Sequence, residues 1–345
     1  MNTIRARAPL RLGLAGGGSD VSPFCDLFGG LVLNATIDRY AYATIRNINA
    51  KSVSFIAADC NEKITLTLSS VTSQINDNLS LHVATYNYFI QKYNKGVPIG
   101  LELSTFCDAP IGSGLGSSST LVVAMARALI ELLNVSLSDY EVAKSAYEIE
   151  RIICGFQGGR QDQYSAVFGG FNFMEFHQND QVLVNTLRIK PWIIQELEAS
   201  LVLYFSGISR ESAKIISDQS VNVDKGTDNA IQAMKGIKQE ALSMKSALLR
   251  GDFRSLTESM NKGWENKKKS AKSVTSKYID ELFEVAKNSG AISGKVSGAG
   301  GGGFILFFVS PNKRMDVIRS LKKFGGEVSN CHFTKNGMQA WVVDK

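Results

Sequence analysis

The chain has 345 residues, of which 44% are hydrophobic and 20% are charged, a composition typical of globular proteins and unlike that of disordered chains. The formal net charge is +6, from 38 basic and 32 acidic side chains. This small excess suits an anionic small ligand such as a nucleotide or a sugar phosphate, and it is too weak to indicate nucleic-acid binding. At this length the chain can hold two packed domains or one large one.

The first strand is predicted over residues 4–14, where apolar side chains alternate with a largely basic set that includes Arg11. Further strands are predicted over residues 31–37, 40–45, 53–58, 64–68, 99–106, 171–176, 201–205 and 304–309. Helices are predicted around residues 81–92, 121–132 and 143–153, and through most of 210–290. The predicted strands and helices do not alternate regularly, which favours an α+β fold over a doubly wound parallel sheet. We place a soft domain boundary near residue 170, which gives domains over 1–170 and 171–345.

The five cysteines, at positions 25, 60, 107, 154 and 331, form no CxxC motif, so we expect reduced thiols. The N-terminal segment carries arginines where a signal peptide is apolar. The longest strongly apolar run has six residues, whereas a membrane helix needs roughly twenty. These features predict a cytoplasmic protein without a membrane partner. The sequence leaves the oligomeric state open, including a homo-oligomer.

A glycine- and serine-rich segment, PIGSGLGSSST at residues 110–120, separates a predicted strand from a predicted helix. Glycines let the backbone approach a ligand closely, and a helix N-terminus offers free N–H groups to phosphate. A serine hydroxyl in the first turn can also reach Mg²⁺. The segment therefore predicts an ATP phosphate site made by Pro110, Gly112, Gly114, Leu115, Gly116, Ser117, Ser118 and Ser119. The alternative is a flexible turn with a serine N-cap.

Other nucleotide motifs are absent or in the wrong context. No GKS or GKT follows the glycines, and the chain has no HRD or DFG motif. Gly298, Gly300 and Gly303 satisfy the pattern GxGxxG, but a predicted helix precedes them and a strand follows. A dinucleotide fold needs the opposite order, so the NAD interpretation is rejected.

Glu150 is the predicted carboxylate ligand of a metal ion. Its neighbours at helical spacing, Ala146, Tyr147, Ile153 and Cys154, include no cation, and Mg²⁺ is the partner we expect. The alternative is a glutamate that reaches water. Glu148, in contrast, lies between Lys144 and Arg151 and is interpreted as part of a solvated helix pair.

Asp162, in the segment GGRQDQY, is the candidate catalytic acid or base. An N-cap aspartate is the alternative. Arg160 and Arg11 could hold this carboxyl group ionised and neutralise the charge of a transferred phosphoryl group.

Three segments in order, RAPLRLGLAGGGSD, PIGSGLGSSST and KVSGAGGGGFILFF, resemble the three motifs of the GHMP small-molecule kinases. The resemblance extends over nearly the whole chain. The segments AGGGSDVSPFCDLFGG and GGRQDQYSAVFGGFNF are further similar to those of D-glycero-D-manno-heptose 7-phosphate kinases.

This resemblance implies a two-lobed fold, with an N-terminal lobe like ribosomal protein S5 domain 2 and a ferredoxin-like C-terminal lobe. It implies ATP and Mg²⁺ as cofactors, with Ser118 and Glu150 as metal ligands and Asp162 and Arg11 as catalytic residues. The implied substrate-binding residues are Gly17, Gly18, Ser19, Asp20, Arg160, Gly300 and Gly301.

The implied reaction is transfer of the ATP γ-phosphoryl group to the anomeric hydroxyl group of heptose 7-phosphate. Two alternatives stay open: a kinase for an unphosphorylated sugar such as fucose or galactose, and a catalytically silent sugar- or nucleotide-binding protein. Candidate anchors for the substrate phosphate are Lys267-Lys268-Lys269, Arg39 and Arg160, although a lysine run is more often a solvated helix face.

Overall fold

The computed structural model of the chain describes residues 3–47, 51–71, 79–110, 112–208 and 212–343. Residues 210 and 211, which begin the predicted helical region, lie outside the described residues. The strands are β1 (Thr3–Ala15), β2 (Gly30–Asn47), β3 (Ser52–Ala57), β4 (Glu62–Thr67), β5 (Leu101–Cys107), β6 (Phe171–Phe176), β7 (Val182–Thr186), β8 (Leu201–Phe205), β9 (Ala291–Val296), β10 (Phe304–Val309), β11 (Glu327–Ser329) and β12 (Gln339–Val343).

The helices alternate irregularly with these strands along the chain. They are α1 (Phe24–Phe28), α2 (Ser80–Tyr93), α3 (Ser117–Leu133), α4 (Asp139–Tyr147), α5 (Gln161–Phe168), α6 (Pro191–Ser200), α7 (Ser212–Asp224), α8 (Asp228–Arg250), α9 (Phe253–Ser270), α10 (Lys277–Asn288) and α11 (Arg314–Lys322). A π-helical turn, Glu148–Ile153, continues α4.

The strands form two sheets. The eight-stranded sheet has the order β12-β1-β2-β5-β3-β4, with β6 paired to β2 and β7 to β6, and the four-stranded sheet has the order β11-β8-β10-β9. Among the described ladders only β3–β5 is parallel, which confirms the α+β class. The predicted boundary near residue 170 stays a prediction, and β6, β7 and β12, which follow that residue, belong to the eight-stranded sheet.

The predicted strands are present, but residues 31–37 and 40–45 belong to one strand, β2. The two predicted strands were separated at the polar pair Asp38-Arg39. In the structure β2 changes partners near this pair, since residues 30–35 pair with β6 and residues 41–47 pair with β5. A polar residue is tolerated there because Asp38 is exposed, and its backbone N–H donates to the carbonyl oxygen of His332 at 2.8 Å.

The core has separate clusters that hold the site-forming elements in place. One cluster joins β1 and β2 to helices α2, α3 and α4, and a second joins the two sheets to α6, α8 and α9. A third packs the four-stranded sheet on α10 and α11. The second cluster ties the end of β1 and the loop before α3 to the second sheet. Within the described residues, no helix combines the length and apolarity that crossing a bilayer requires.

Candidate active site

A cavity lies where the end of β1, the loops before α3 and α5, helix α9 and the loop after β9 come together. The side chains and backbone that line it include Arg11, Gly13, Gly17, Gly18, Asp20, Gly112, Gly114, Gly116, Ser117, Ser118, Arg151, Gln161, Asp162, Gln219, Lys267, Lys295, Gly298 and Ala299. The structure therefore brings together most of the residues predicted from the sequence, from positions far apart in the chain.

The loop before α3 has the conformation expected of a phosphate cradle. Gly112, Gly114 and Gly116 have φ angles of 74°, 79° and 78°. A Cβ atom on Gly114 would lie 2.5 Å from the carbonyl oxygen of Ser297. Helix α3 begins at Ser117 without a side-chain cap, so its first N–H groups can serve a ligand.

Three other residues of this loop shape it rather than line the cavity. Pro110 is exposed, and the Leu115 side chain is fully buried in the core. The Leu115 carbonyl oxygen accepts a hydrogen bond from Arg11 N–H at 3.1 Å. The Ser119 hydroxyl is buried and donates to Glu150 Oε2 at 2.6 Å.

Arg11 and Asp162 form a buried ion pair in the cavity. Arg11 Nε and Nη2 approach the same oxygen, Asp162 Oδ1, at 2.8 and 2.7 Å. Arg11 Nη1 also donates to the carbonyl oxygen of Gly114 at 2.7 Å. Asp162 Oδ2 accepts no hydrogen bond among the described residues and lies next to Gly116, whose added Cβ would be 3.3 Å away. The pair leaves one carboxylate oxygen available to a substrate hydroxyl group.

Arg11 is not on an exposed basic face, as the alternation of the first strand suggested. It is 4% exposed, because β1 is covered on both sides beyond residue 8.

Glu150 is completely buried at the N-terminal end of α3. Its Oε1 accepts from Ser118 Oγ at 2.6 Å, and its Oε2 accepts from Ser119 Oγ and from Gln163 Nε2 at 2.6 and 2.7 Å. The carboxylate and the Ser118 hydroxyl thus present adjacent oxygen atoms.

The expectation that Glu150 has no cation beside it is wrong. Arg151 Nη1 lies 3.2 Å from Glu150 Oε1. Consecutive residues of a helix do not face each other, but the long Arg151 side chain folds back onto Glu150 while it donates to Ser119 and Gln157.

Arg151 is a site residue that the sequence interpretation missed. Its guanidinium group lines the cavity and donates to Ser119 Oγ at 3.3 Å and to the carbonyl oxygen of Gln157 at 3.3 Å. A Cβ on Gly158 would lie only 2.4 Å from its Cζ, so this glycine is needed for the arginine to fit. The predicted Arg151–Glu148 pair is wrong, since Glu148 accepts from Tyr88 Oη at 2.7 Å instead.

Asp20 anchors the loop after β1 to the start of α5. Its carboxylate accepts from the N–H groups of Gly18 and Gln161 and from Gln161 Nε2, at 2.9–3.1 Å. Gly17, Gly18 and Asp20 line the cavity. Ser19 does not, because its hydroxyl contacts the backbone of Leu31.

Arg160, a predicted substrate ligand, lies outside the cavity. Arg160 Nη2 contacts Asp180 Oδ1 at 2.5 Å, and its guanidinium stacks over the Tyr147 ring at 5.4 Å from the centroid. The predicted ligands Gly300 and Gly301 also lie outside it. Both pack on Val274, whose carbonyl oxygen accepts from Gly301 N–H at 2.7 Å, and it is Gly298 and Ala299 that line the cavity.

Two buried lysines, Lys267 and Lys295, also line the cavity. Lys267 on α9 was only one member of a lysine run, and Lys295 on β9 lay in the third glycine-rich segment without an assigned role. Burial lowers the pKa of Lys267 to about 8, and it lowers that of Lys295 well below its usual value. One signal in the sequence could have separated Lys267 from Lys268 and Lys269: it follows Met260 and Trp264 at helical spacing, so it lies on the apolar face of α9.

Comparison with known proteins gives consistent matches. Residues 80–170 match the family model "GHMP kinases N terminal domain", and residues 244–327 match "GHMP kinases C terminal". The chain is 44% identical over 343 residues to a D-glycero-alpha-D-manno-heptose 7-phosphate kinase from Campylobacter jejuni, covering 99% of this chain and 100% of the relative.

Solved structures agree with these matches. A crystal structure titled as a D-glycero-D-manno-heptose 1-phosphate kinase from Bacteroides thetaiotaomicron superposes with a TM-score of 0.84 at 44% identity, covering 99% of this chain and 100% of the other. The Methanococcus jannaschii mevalonate kinase shares the fold, with a TM-score of 0.74 at 20% identity over 96% of this chain and 98% of the other. The predicted fold is therefore confirmed.

Proposed function

The chain belongs to the GHMP kinases, and from this premise we propose that it transfers the γ-phosphoryl group of ATP to the anomeric hydroxyl group of D-glycero-D-manno-heptose 7-phosphate. The products are heptose 1,7-bisphosphate and ADP. The observation that carries the proposal is the position of Asp162: its carboxylate is held by Arg11 and lies beside Gly116, at the start of the α3 phosphate cradle.

The chemistry assigned to this pair is proton transfer coupled to phosphoryl transfer. The anomeric oxygen forms a bond to the γ-phosphorus while the bond to the bridging β,γ-oxygen breaks, and the hydroxyl proton goes to Asp162 Oδ2. Arg11 holds Oδ1 of the same carboxylate, so Oδ2 stays oriented toward the acceptor. The N–H groups at the start of α3 and the Arg11 cation stabilise the phosphate charge.

The oxygen atoms at the start of α3 fit a magnesium ion. Ser118 Oγ and Glu150 Oε1 lie 2.6 Å apart, and Glu150 is a buried carboxylate. Mg²⁺ in nucleotide sites takes one or two carboxylates together with substrate phosphates, so these two residues are a sufficient protein contribution. When bound, Mg²⁺ neutralises charge on the nucleotide phosphates. Arg151 shares Glu150 and adds a second positive charge at the same position.

A second candidate acceptor is heptose 1-phosphate, because one similar structure is titled as a kinase of that sugar phosphate. Transfer to its 7-hydroxyl group gives the same bisphosphate. The unphosphorylated sugars and the silent binding protein stay as further alternatives. A cytoplasmic location also stays a prediction.

The test is a panel assay of ADP release. We expect the highest kcat/KM on heptose 7-phosphate, supplied as both anomers, compared with heptose 1-phosphate, mannose, fucose and galactose. Preference for heptose 1-phosphate or for a free sugar would replace the proposed acceptor. No ADP release with any sugar would favour the silent binding protein, and sugar-independent ADP release would indicate ATP hydrolysis in place of transfer to a sugar.

A further inference from the structure

Lys267 and Lys295 are buried cations with unused hydrogen-bond donors. They are 4% and 6% exposed, and both line the cavity. Lys267 Nζ donates to the carbonyl oxygens of Gly17 at 3.3 Å and Gly298 at 2.5 Å, and Lys295 Nζ donates to that of Gly13. An ammonium group has three N–H donors. One donor of Lys267 and two of Lys295 therefore have no partner among the described residues.

No carboxylate of the described residues forms an ion pair with either lysine. Asp20 and Asp162 act on Lys267 electrostatically, but hydrogen bonds from Gly18 and Gln161 occupy Asp20, and Arg11 holds Asp162. Both lysines line the same cavity, and the charge of Lys267 contributes to the low pKa of Lys295. Buried charges of one sign are costly without a counter-ion. Asp20 and Asp162 offset the charge of Lys267 in part, and an anionic ligand would supply the direct partner that both lysines lack.

The position of the lysines favours the acceptor over the nucleotide. Gly17, which accepts from Lys267, belongs to the same loop as Asp20, and Gly298 belongs to the loop after β9. Neither lysine donates to a described residue of the cradle at 112–119. Among the acidic residues, Asp20 raises the pKa of Lys267 the most, and Asp162 raises it less. Lys267 thus lies beside the Asp20 loop through its bond to Gly17, and Lys295 lies beside Gly13, although Gly298, the second acceptor of Lys267, packs on Gly114 of the cradle.

We propose that Lys267 and Lys295 form the subsite that binds the phosphate ester already carried by the acceptor sugar. Two ammonium groups with three free donors match the charge and the acceptor oxygens of a phosphate monoester. This inference rests on the proposed function, since it supplies the anchor that a sugar 7-phosphate requires. The other basic candidates do not line the cavity: Arg160 pairs with Asp180, Arg39 lies over the ring of Phe304, Lys268 pairs with Glu265, and Lys269 is exposed.

The test compares the variants Lys267→Met and Lys295→Met with the control Lys268→Met, which removes a partly exposed lysine from the same helix. For each protein, kcat and KM are measured on heptose 7-phosphate and on the unphosphorylated heptose, together with the KM for ATP. We expect kcat/KM on the phosphorylated sugar to fall by about 10²-fold in each subsite variant, the size of one charge-assisted hydrogen bond. Activity on the free heptose and the KM for ATP should change by less than about threefold.

An equal loss on both sugars would overturn the proposal, because the lysines would then act on the transferred group or only hold the loops. A tenfold or larger rise in the KM for ATP would overturn it too, in favour of the nucleotide as ligand. Lys267→Arg, which keeps the charge, should recover part of the preference for the phosphorylated sugar.

Failure of the proposed function has a different signature, since the wild-type protein would show no preference for the 7-phosphate. Inorganic phosphate then tests the subsite without any sugar. It should raise the Tm of the wild type and Lys268→Met but not that of Lys267→Met or Lys295→Met. An equal rise in all four proteins would reject the subsite. If one variant does not fold, the other answers the question.

Discussion

The two buried charge clusters of the cavity differ in how their charge is compensated. Glu150 is surrounded by two serine hydroxyls, a glutamine amide and the Arg151 guanidinium, so the protein itself satisfies this carboxylate. Among the residues that the structure describes, Lys267 and Lys295 donate hydrogen bonds only to backbone carbonyl oxygens. The first cluster is complete before a ligand binds, whereas the second has a net positive charge that a ligand is needed to balance.

This difference indicates that the two clusters have different functions. A satisfied carboxylate keeps a fixed geometry, which suits the positioning of a metal ion and the nucleotide phosphates. Unpaired ammonium groups gain most when an anion arrives, which suits selection of a phosphorylated acceptor. Asp162, where the two substrates meet in the proposed reaction, lines the same cavity as both lysines, and the next residue, Gln163, donates to Glu150.

The largest effect is expected at this meeting point. Asp162→Asn keeps the shape of the side chain but removes the proton acceptor, so kcat should fall by roughly 10²–10⁴-fold. ATP binding, measured by equilibrium titration, should be retained because the start of α3 is unchanged. Near-normal turnover would show that Asp162 takes no part in the chemistry. The proposed position of the reaction relative to the two clusters would then be wrong.

A smaller effect is expected from Glu150→Gln, which removes the charge of the satisfied cluster. Arg151 loses its anion in a mostly buried position, so the free energy of unfolding should drop by roughly 3 kcal/mol. The Mg²⁺ concentration for half-maximal rate should rise about tenfold or more, since one oxygen ligand loses its charge. Urea unfolding and a magnesium titration measure the two effects. Unchanged magnesium dependence would assign Glu150 to a structural role.

The smallest effect is expected in the pH dependence of stability. Lys267 has a pKa of about 8 in the folded chain and roughly 10.4 when unfolded. Between these values the unfolded chain binds more protons, so the free energy of unfolding rises with pH. Relative to Lys267→Met, the wild type should gain up to about 3 kcal/mol from below pH 8 to pH 10.5.

Urea unfolding at several pH values measures this gain, with Lys268→Met as the control that should follow the wild type. If the free energy of unfolding changes with pH in the same way in the wild type and in Lys267→Met, burial does not destabilise the charged form of Lys267. The two clusters would then not differ in whether the protein itself compensates their buried charge.

Much of the fold could be predicted, because strand alternation and glycine-rich breaks are local properties of the chain. The helix start at Ser117 follows from the composition of the segment before it. The ligand roles of Arg11, Glu150 and Asp162 are still proposals, but the structure does bring all three to one cavity or its wall. The sequence did not indicate that the Arg160 side chain lies outside the cavity, because its orientation depends on a partner distant in the chain, Asp180.

The sequence by itself predicted strands β1–β6, β8 and β10 and the helix start at Ser117, since each depends on short-range backbone geometry, whereas β7, β9, β11 and β12 were not predicted. The phosphate role of the loop at 112–119 and the acid role of Asp162 stay predictions. Only the tertiary structure decided which cations enter the site. Arg151 lies beside Glu150 because Ser119 and the backbone of Gln157 hold its guanidinium there, and Lys267 is buried between α9 and the loops at Gly17 and Gly298. Burial and charge pairing are long-range properties, so residues of the same type in one run, such as Lys267 and Lys268, can have opposite environments.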